Sequence, residues 1–144
     1  MTDTLKEILK RLREIYSDTT IHHILNPRNN KELQDADGFG ACRSSCGENM
    51  KIWLKIRSNT IWNTGFWTDG CAATIACGSM ATELARDKTP AQAMKVTARD
   101  IAGALKDLPE GNLHCAELAA ETLRVALRDY ALIQQQPWKK LYRK

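Results

Sequence analysis

The chain has 144 residues, 43% hydrophobic and 26% charged, with 21 Lys and Arg against 17 Asp and Glu for a net charge of +4. That size suits a single domain over residues 1–144 with a core of its own, and the composition is that of an ordinary soluble globular protein. The charge is too small and too dispersed to argue for nucleic acid, and no apolar run approaches the length that spans a membrane.

In chain order, Leu5, Ile8, Leu9, Leu12 and Ile15 fall at helical spacing, so residues 1–15 read as an amphipathic helix that ends before Ser17 and Asp18. Acids stand among its bases, unlike a secretory signal or transit peptide, and a reducing cytoplasmic location follows as the default. TTIHHIL is a short helix stopped at Asn26-Pro27, since the residue before proline is pushed out of helical space. His22 and His23 on it read as packing or surface groups. Residues 28–40 are polar and glycine-punctuated, hence a loop.

MKIWLKIR alternates, with Met50, Ile52, Leu54 and Ile56 on one face and Lys51, Trp53, Lys55 and Arg57 on the other, which predicts a strand. Ser58-Asn59 supplies a turn and IWNTGFWT a return strand, with Gly65 marking a bulge or bend. Residues 39–46 add a third, edge strand. From residue 72 the chain turns helical: an alanine-rich helix over 72–86 packing through Ile75, Met80 and Leu84, and a start at Thr89-Pro90-Ala91-Gln92 by capping box and proline. A helix over 98–106 is broken by LPEGN, and a long helix over 113–134 turns Leu118, Leu123, Leu127 and Tyr130 inward. The basic stretch 137–144, PWKKLYRK, reads as a frayed tail. The expected architecture is α+β: a small three-stranded antiparallel sheet with helices packed on one face, an N-terminal helix and a long C-terminal helix.

The five cysteines are an odd number, a poor fit to a closed disulfide framework, so the thiols point to metal binding or reactivity. Cys46 lies in the turn before the alternating strand with Gly47 and Glu48 beside it. Cys71 lies between Gly70 and a helix, and Cys115 between a glycine-containing break and the last helix, next to His114. A helix N-terminus offers unpaired amides and about half a positive charge, which stabilise a thiolate. The separations, 25 residues from Cys46 to Cys71 and 44 from Cys71 to Cys115, are not those of a zinc finger, so the fold itself must assemble the site. Three thiolates with a carboxylate or histidine suit zinc or an iron–sulfur cluster, and spacing leaves both open. Cys42 and Cys77 read as small packing groups. A thiol hydrolase is disfavoured, because neighbours on a helix do not face each other and His114 would miss Cys115.

HHILNPRNN, DADGFG, CGENM, GFWTDGCAATIACGS, TELARDKTPAQA and LPEGNLHCAELAAETLRVALRDY resemble, in that order from Tyr16 to Tyr130, the NifU/IscU-type iron–sulfur cluster scaffold proteins. The resemblance implies a scaffold and carrier, not a turnover enzyme, on which a [2Fe–2S] cluster is assembled and then passed to acceptor apoproteins. By it, Cys46, Cys71 and Cys115 are the cluster ligands, Cys115 is the persulfide acceptor, and Glu48 and His114 complete a metal-binding set. It further implies iron as cargo, zinc as an occupant of the cluster-free form, a cysteine desulfurase as sulfur donor, an electron donor such as a ferredoxin, and a homodimer around the cluster as one arrangement. Glu48 stands where the family carries aspartate, and LPEGN has Asn112 where the chaperone-read LPPVK-type sequence has lysine. The resemblance also implies a chain without the ferredoxin-like and C-terminal C-x-x-C modules of full-length NifU. The alternative is a zinc-dependent sulfurtransferase of the SUF type, whose members carry an insertion between the second and third cysteines.

Overall fold

The computed structural model describes residues 3–142; Met1, Thr2 and the last two residues of the predicted tail lie outside the described residues. Helix α1 (Asp3–Ile15) and helix α2 (Asp18–Leu25) precede strands β1 (Gly38–Arg43), β2 (Asn49–Arg57) and β3 (Thr60–Thr68). Helices α3 (Ala72–Ala85), α4 (Pro90–Ala93), α5 (Ala98–Ala104) and α6 (Leu113–Gln135) follow. The strands form one antiparallel sheet in the order β1-β2-β3. Helices α3 and α6 pack against each other and against the same face of the sheet, α3 over β3 and α6 over β1 and β2.

The alternation in β2 sets that face. Met50, Ile52 and Leu54 are buried beneath the helices, while Lys51, Trp53 and Lys55 point the other way. Ser58 and Asn59 both take positive φ, as a two-residue hairpin turn requires. The predicted irregularity at Gly65 lies elsewhere. The register slips between Lys55 and Ile56, so that Trp62 is the extra residue, and Gly65 pairs normally with Trp53. Gly65 instead makes room for another segment. The loop after α2 crosses it, and a Cβ there would sit 2.2 Å from the Lys31 carbonyl oxygen.

Close approach by small residues recurs under the helices. A Cβ on Gly40 would lie 2.6 Å from both the Ala126 amide nitrogen and the Thr122 carbonyl oxygen, so α6 rests directly on the β1 backbone. A Cβ on Gly78 would lie 2.6 Å from the Phe66 ring, which fills the space between α3 and the sheet. Helix α3 is buried over most of its surface, its polar Thr74, Ser79 and Thr82 included, with Glu83 exposed near its end. Ser79 accepts from the Arg28 amide at 2.8 Å and bonds to Nδ1 of buried His23 at 2.7 Å, tying α2 and the following loop to α3.

The expected capping box at Thr89 with Gln92 is present, although α4 is only 4 residues long, and a second one, not foreseen, joins Thr97 and Asp100 at the start of α5. Two elements differ from expectation. No residue of α1 is buried, and Ile8 and Ile15 of its apolar stripe are exposed, so the stripe contributes nothing to the core. The tail, read as frayed, forms a 3-10 helix over Pro137–Tyr142 that packs back on α6, with Lys140 3.6 Å from Asp37.

Candidate metal centre

Three chain reversals converge at one end of the sheet: the β1–β2 loop at 44–48, the β3–α3 turn at 69–71 and the start of α6. The first is closed by its own backbone. Ser44 N–H donates to the Glu48 carbonyl at 2.8 Å, Gly47 N–H to the Ser44 carbonyl at 3.0 Å, and Gly47 takes φ +88°, which glycine alone adopts cheaply. Asp69 fastens the second reversal to the first, accepting from the Asn49 amide at 2.7 Å and from its side chain at 2.9 Å. These two Asn49 bonds hold the Asp69 carboxyl below its usual range.

Within this frame Glu48, His114 and Cys115 bring ligand atoms within 4.8 Å of one another. Cys71 joins them through Thr74. The Thr74 hydroxyl donates to Glu48 Oε2 at 2.7 Å and stands 3.3 Å from Cys115 Sγ and 3.5 Å from Cys71 Sγ. Cys71 is the N-cap of α3, as its position after Gly70 predicts, but its thiol makes no cap bond to the helix. Cys46 is brought to the same end of the sheet but not into the 4.8 Å group; it is exposed at the tip of its loop. Cys77 is buried in α3, and Cys42 is half-buried in β1 against the core.

Two expectations are corrected. Neighbours at a helix start can meet: His114 Nε2 lies 3.5 Å from Cys115 Sγ. The thiol of Cys115 is also not activated by its helix end. It is fully buried, and burial foremost, with the negative charges of Cys71 and Glu48 adding to it, pushes its pKa up to about 11 against a Thr74 bond that lowers it. The net shift is upward, opposite to the one that a helix-start position leads one to expect. Burial likewise raises Cys77, and burial with the nearby thiols raises Tyr16, at the joint before α2.

A chemical consequence follows. In metal-free protein, iodoacetamide is expected to label exposed Cys46 and Cys71 well before Cys115 and Cys77, by quantitative mass spectrometry. The Cys115 rate should climb with pH until about 11, as the thiolate fraction rises. Equal rates at all positions would show that the centre opens freely.

Thr74 and Asp69 escaped the sequence reading. Thr74 lay in an alanine-rich segment read only for its larger packing groups. Its signal was the spacing, three residues after an N-cap cysteine, which brings both side chains to the same end of the helix.

The donor set of thiols, a carboxylate and an imidazole fits zinc or iron. Among the described residues, no helix is long and apolar enough to cross a membrane. Residues 15–137 match the family model described as NifU-like N terminal domain. The chain is 46% identical over 117 residues to "Iron-sulfur cluster assembly scaffold protein IscU 1" of Archaeoglobus fulgidus, covering 81% of this chain and 76% of that protein. It is 38% identical over 122 residues to "Iron-sulfur cluster assembly scaffold protein IscU" of Aquifex aeolicus, covering 83% and 78%. The N-terminal domain of a NifU-like protein from Brucella abortus superposes with a TM-score of 0.68 at 13% identity, over 84% of this chain and 97% of that one, a likeness of fold. On the sequence match along most of its length, the chain belongs to the NifU-like N-terminal domain family of IscU-type scaffold proteins.

Proposed function

We propose that the protein is a scaffold on which a [2Fe–2S] cluster is built from iron and desulfurase-derived sulfur and then handed to apoproteins. The observation that carries this reading is the convergence of Glu48, His114 and Cys115 within 4.8 Å, with Cys71 linked to them by a shared hydroxyl. Relatives that the chain matches at 46% and 38% identity bear the name of cluster assembly scaffold, which supports the same role here. Cys46, Cys71 and Cys115 supply the thiolates, and Glu48 or His114 completes the coordination. An oxygen or nitrogen ligand among thiolates is the point from which iron can leave, as a carrier requires.

The Cys115 thiolate attacks the outer sulfur of the desulfurase persulfide, whose own cysteine leaves as the thiolate, with His114 beside Cys115 to receive its thiol proton. Because Cys115 is buried, the centre must open before it can react, whereas Cys46 is already exposed at its loop tip. The partners that this chemistry calls for are a cysteine desulfurase, an electron donor of the ferredoxin kind and cluster-accepting apoproteins.

Anaerobic reconstitution with iron, sulfide and a desulfurase, read by visible absorption and Mössbauer spectra, tests the proposal. A [2Fe–2S] spectrum is expected in wild type and in Cys77→Ser, and its loss in Cys46→Ser, Cys71→Ser and Cys115→Ser. A colourless protein that keeps stoichiometric zinc would support the sulfurtransferase alternative instead.

A further inference from the structure

We propose that Thr74 is a positioning residue of the metal centre, its hydroxyl standing in for the cargo and holding the Glu48 carboxylate against Cys71 and Cys115 until metal arrives. This rests on the reading of those three residues as ligands, whereas the metal-free resonance of Glu48 reports on the hydrogen bond independently of it.

A hydroxyl carries one proton and two lone pairs. While both cysteines are thiols, Thr74 Oγ1 gives its one proton to Glu48 Oε2, the shorter of its two acceptor contacts at 2.7 Å against 3.3 Å to Cys115 Sγ, and Cys71 Sγ stands 3.5 Å away. Other buried helical threonines behave differently. Thr82 and Thr122 give their protons to the carbonyl one turn back, at 2.8 Å from Gly78 and 2.7 Å from Leu118. In Thr74 the same group is directed at three side chains that can bind metal. The turn is built around it: a Cβ on Gly70 would lie 2.7 Å from both Thr74 Cβ and Cγ2.

The chemistry of exchange is balanced. When a divalent cation enters, the thiols release their protons to solvent and the carboxylate turns to the metal. The Thr74 proton is then free to donate to a thiolate, so the buried hydroxyl is satisfied both with and without metal. Glutamate reaches one methylene further than aspartate, and a partner that draws it to a fixed point restores the definition that the longer chain loses.

The experiment uses the full chain and Co²⁺ alone as probe, followed by the thiolate-to-cobalt charge-transfer band, on wild type, Thr74→Val, Thr74→Ser, Glu48→Asp and Thr74→Val/Glu48→Asp. Valine keeps the volume and removes the hydroxyl. It is expected to weaken Co²⁺ binding roughly 10–100-fold, as loss of a ligand's hydrogen-bond partner does, while serine restores wild-type affinity. Glu48→Asp, which also shortens a ligand, should cost less affinity in Thr74→Val than in wild type, because both changes remove the same hold on the carboxylate before metal binds. In metal-free protein, the Glu48 side-chain carboxyl carbon resonance should move in Thr74→Val and stay in place in Thr74→Ser. Wild-type affinity in the valine variant, equal losses in valine and serine, or additive costs would each overturn the proposal. A wild type without the cobalt band would overturn the ligand reading. The metal-free resonance would then decide the hydrogen bond alone: movement keeps Thr74 as the holder of Glu48, and no movement removes that role too.

Discussion

Gly40→Ala is expected to lower the unfolding free energy by about 3 kcal/mol, the upper range for forcing a methyl group into a packed interior. The methyl carbon would fall 2.6 Å from two backbone atoms of α6, the Ala126 nitrogen and the Thr122 oxygen, neither of which can swing aside as a side-chain tip would. Relief requires α6 to lift as a rod. Thr122 is about 10 Å along the helix from Cys115, at 1.5 Å per residue, so the lift also displaces His114 and Cys115 from Glu48. Urea denaturation should show the stability loss, and Co²⁺ titration of the folded variant should show weakened binding by a substitution that touches no ligand. A loss below about 0.5 kcal/mol would mean that α6 has slack over β1.

Phe66→Ala is expected to cost about 3–5 kcal/mol, the range for emptying a fully buried aromatic site, and to lower the melting temperature by roughly 10–20 °C. Phe66 is 1% exposed, the largest of the fully buried side chains, and its ring lies against Gly78 where no Cβ intervenes. The glycine makes the site rigid on the helix side, so little collapse can offset the cavity. Gly78→Ala should itself be destabilising in wild type, because its methyl meets the ring at 2.6 Å. In the Phe66→Ala background that methyl enters vacated space, and the double variant should be more stable than the sum of the two losses predicts. Additive losses in the thermal melts would contradict this packing.

Much of the architecture is legible from local pattern. The alternation of residues 50–57, the Ser58-Asn59 turn and the Thr89 capping box are short-range signals, and each corresponds to an observed element. The junction positions of the thiols are legible for the same reason, since glycine and helix-start signals mark them. What the pattern lacks is the third dimension. Cys115 looks activated by its helix end until burial, a property of the packed fold, reverses the sign. Gly65 looks like a bend, and only the crossing of the Lys31 carbonyl explains it. The apolar stripe of α1 has the period of a core helix yet no residue is buried, because periodicity states which face is apolar and not what covers it. The reading of His114 failed through a spacing rule for helix interiors applied at a helix start.

The borders of the sheet decide how other molecules can approach it. Along β3 the outward amides of Ile61 and Phe66 are taken by the Lys88 and Asn29 carbonyls, at 2.9 and 2.8 Å. Along β1 the Phe39 amide is taken by the Asp129 carboxylate at 2.9 Å. A foreign strand seeking to extend the sheet finds these donors engaged on both sides. A visitor that would add a strand at these three positions meets no free amide, so approach there is left to side chains and helices.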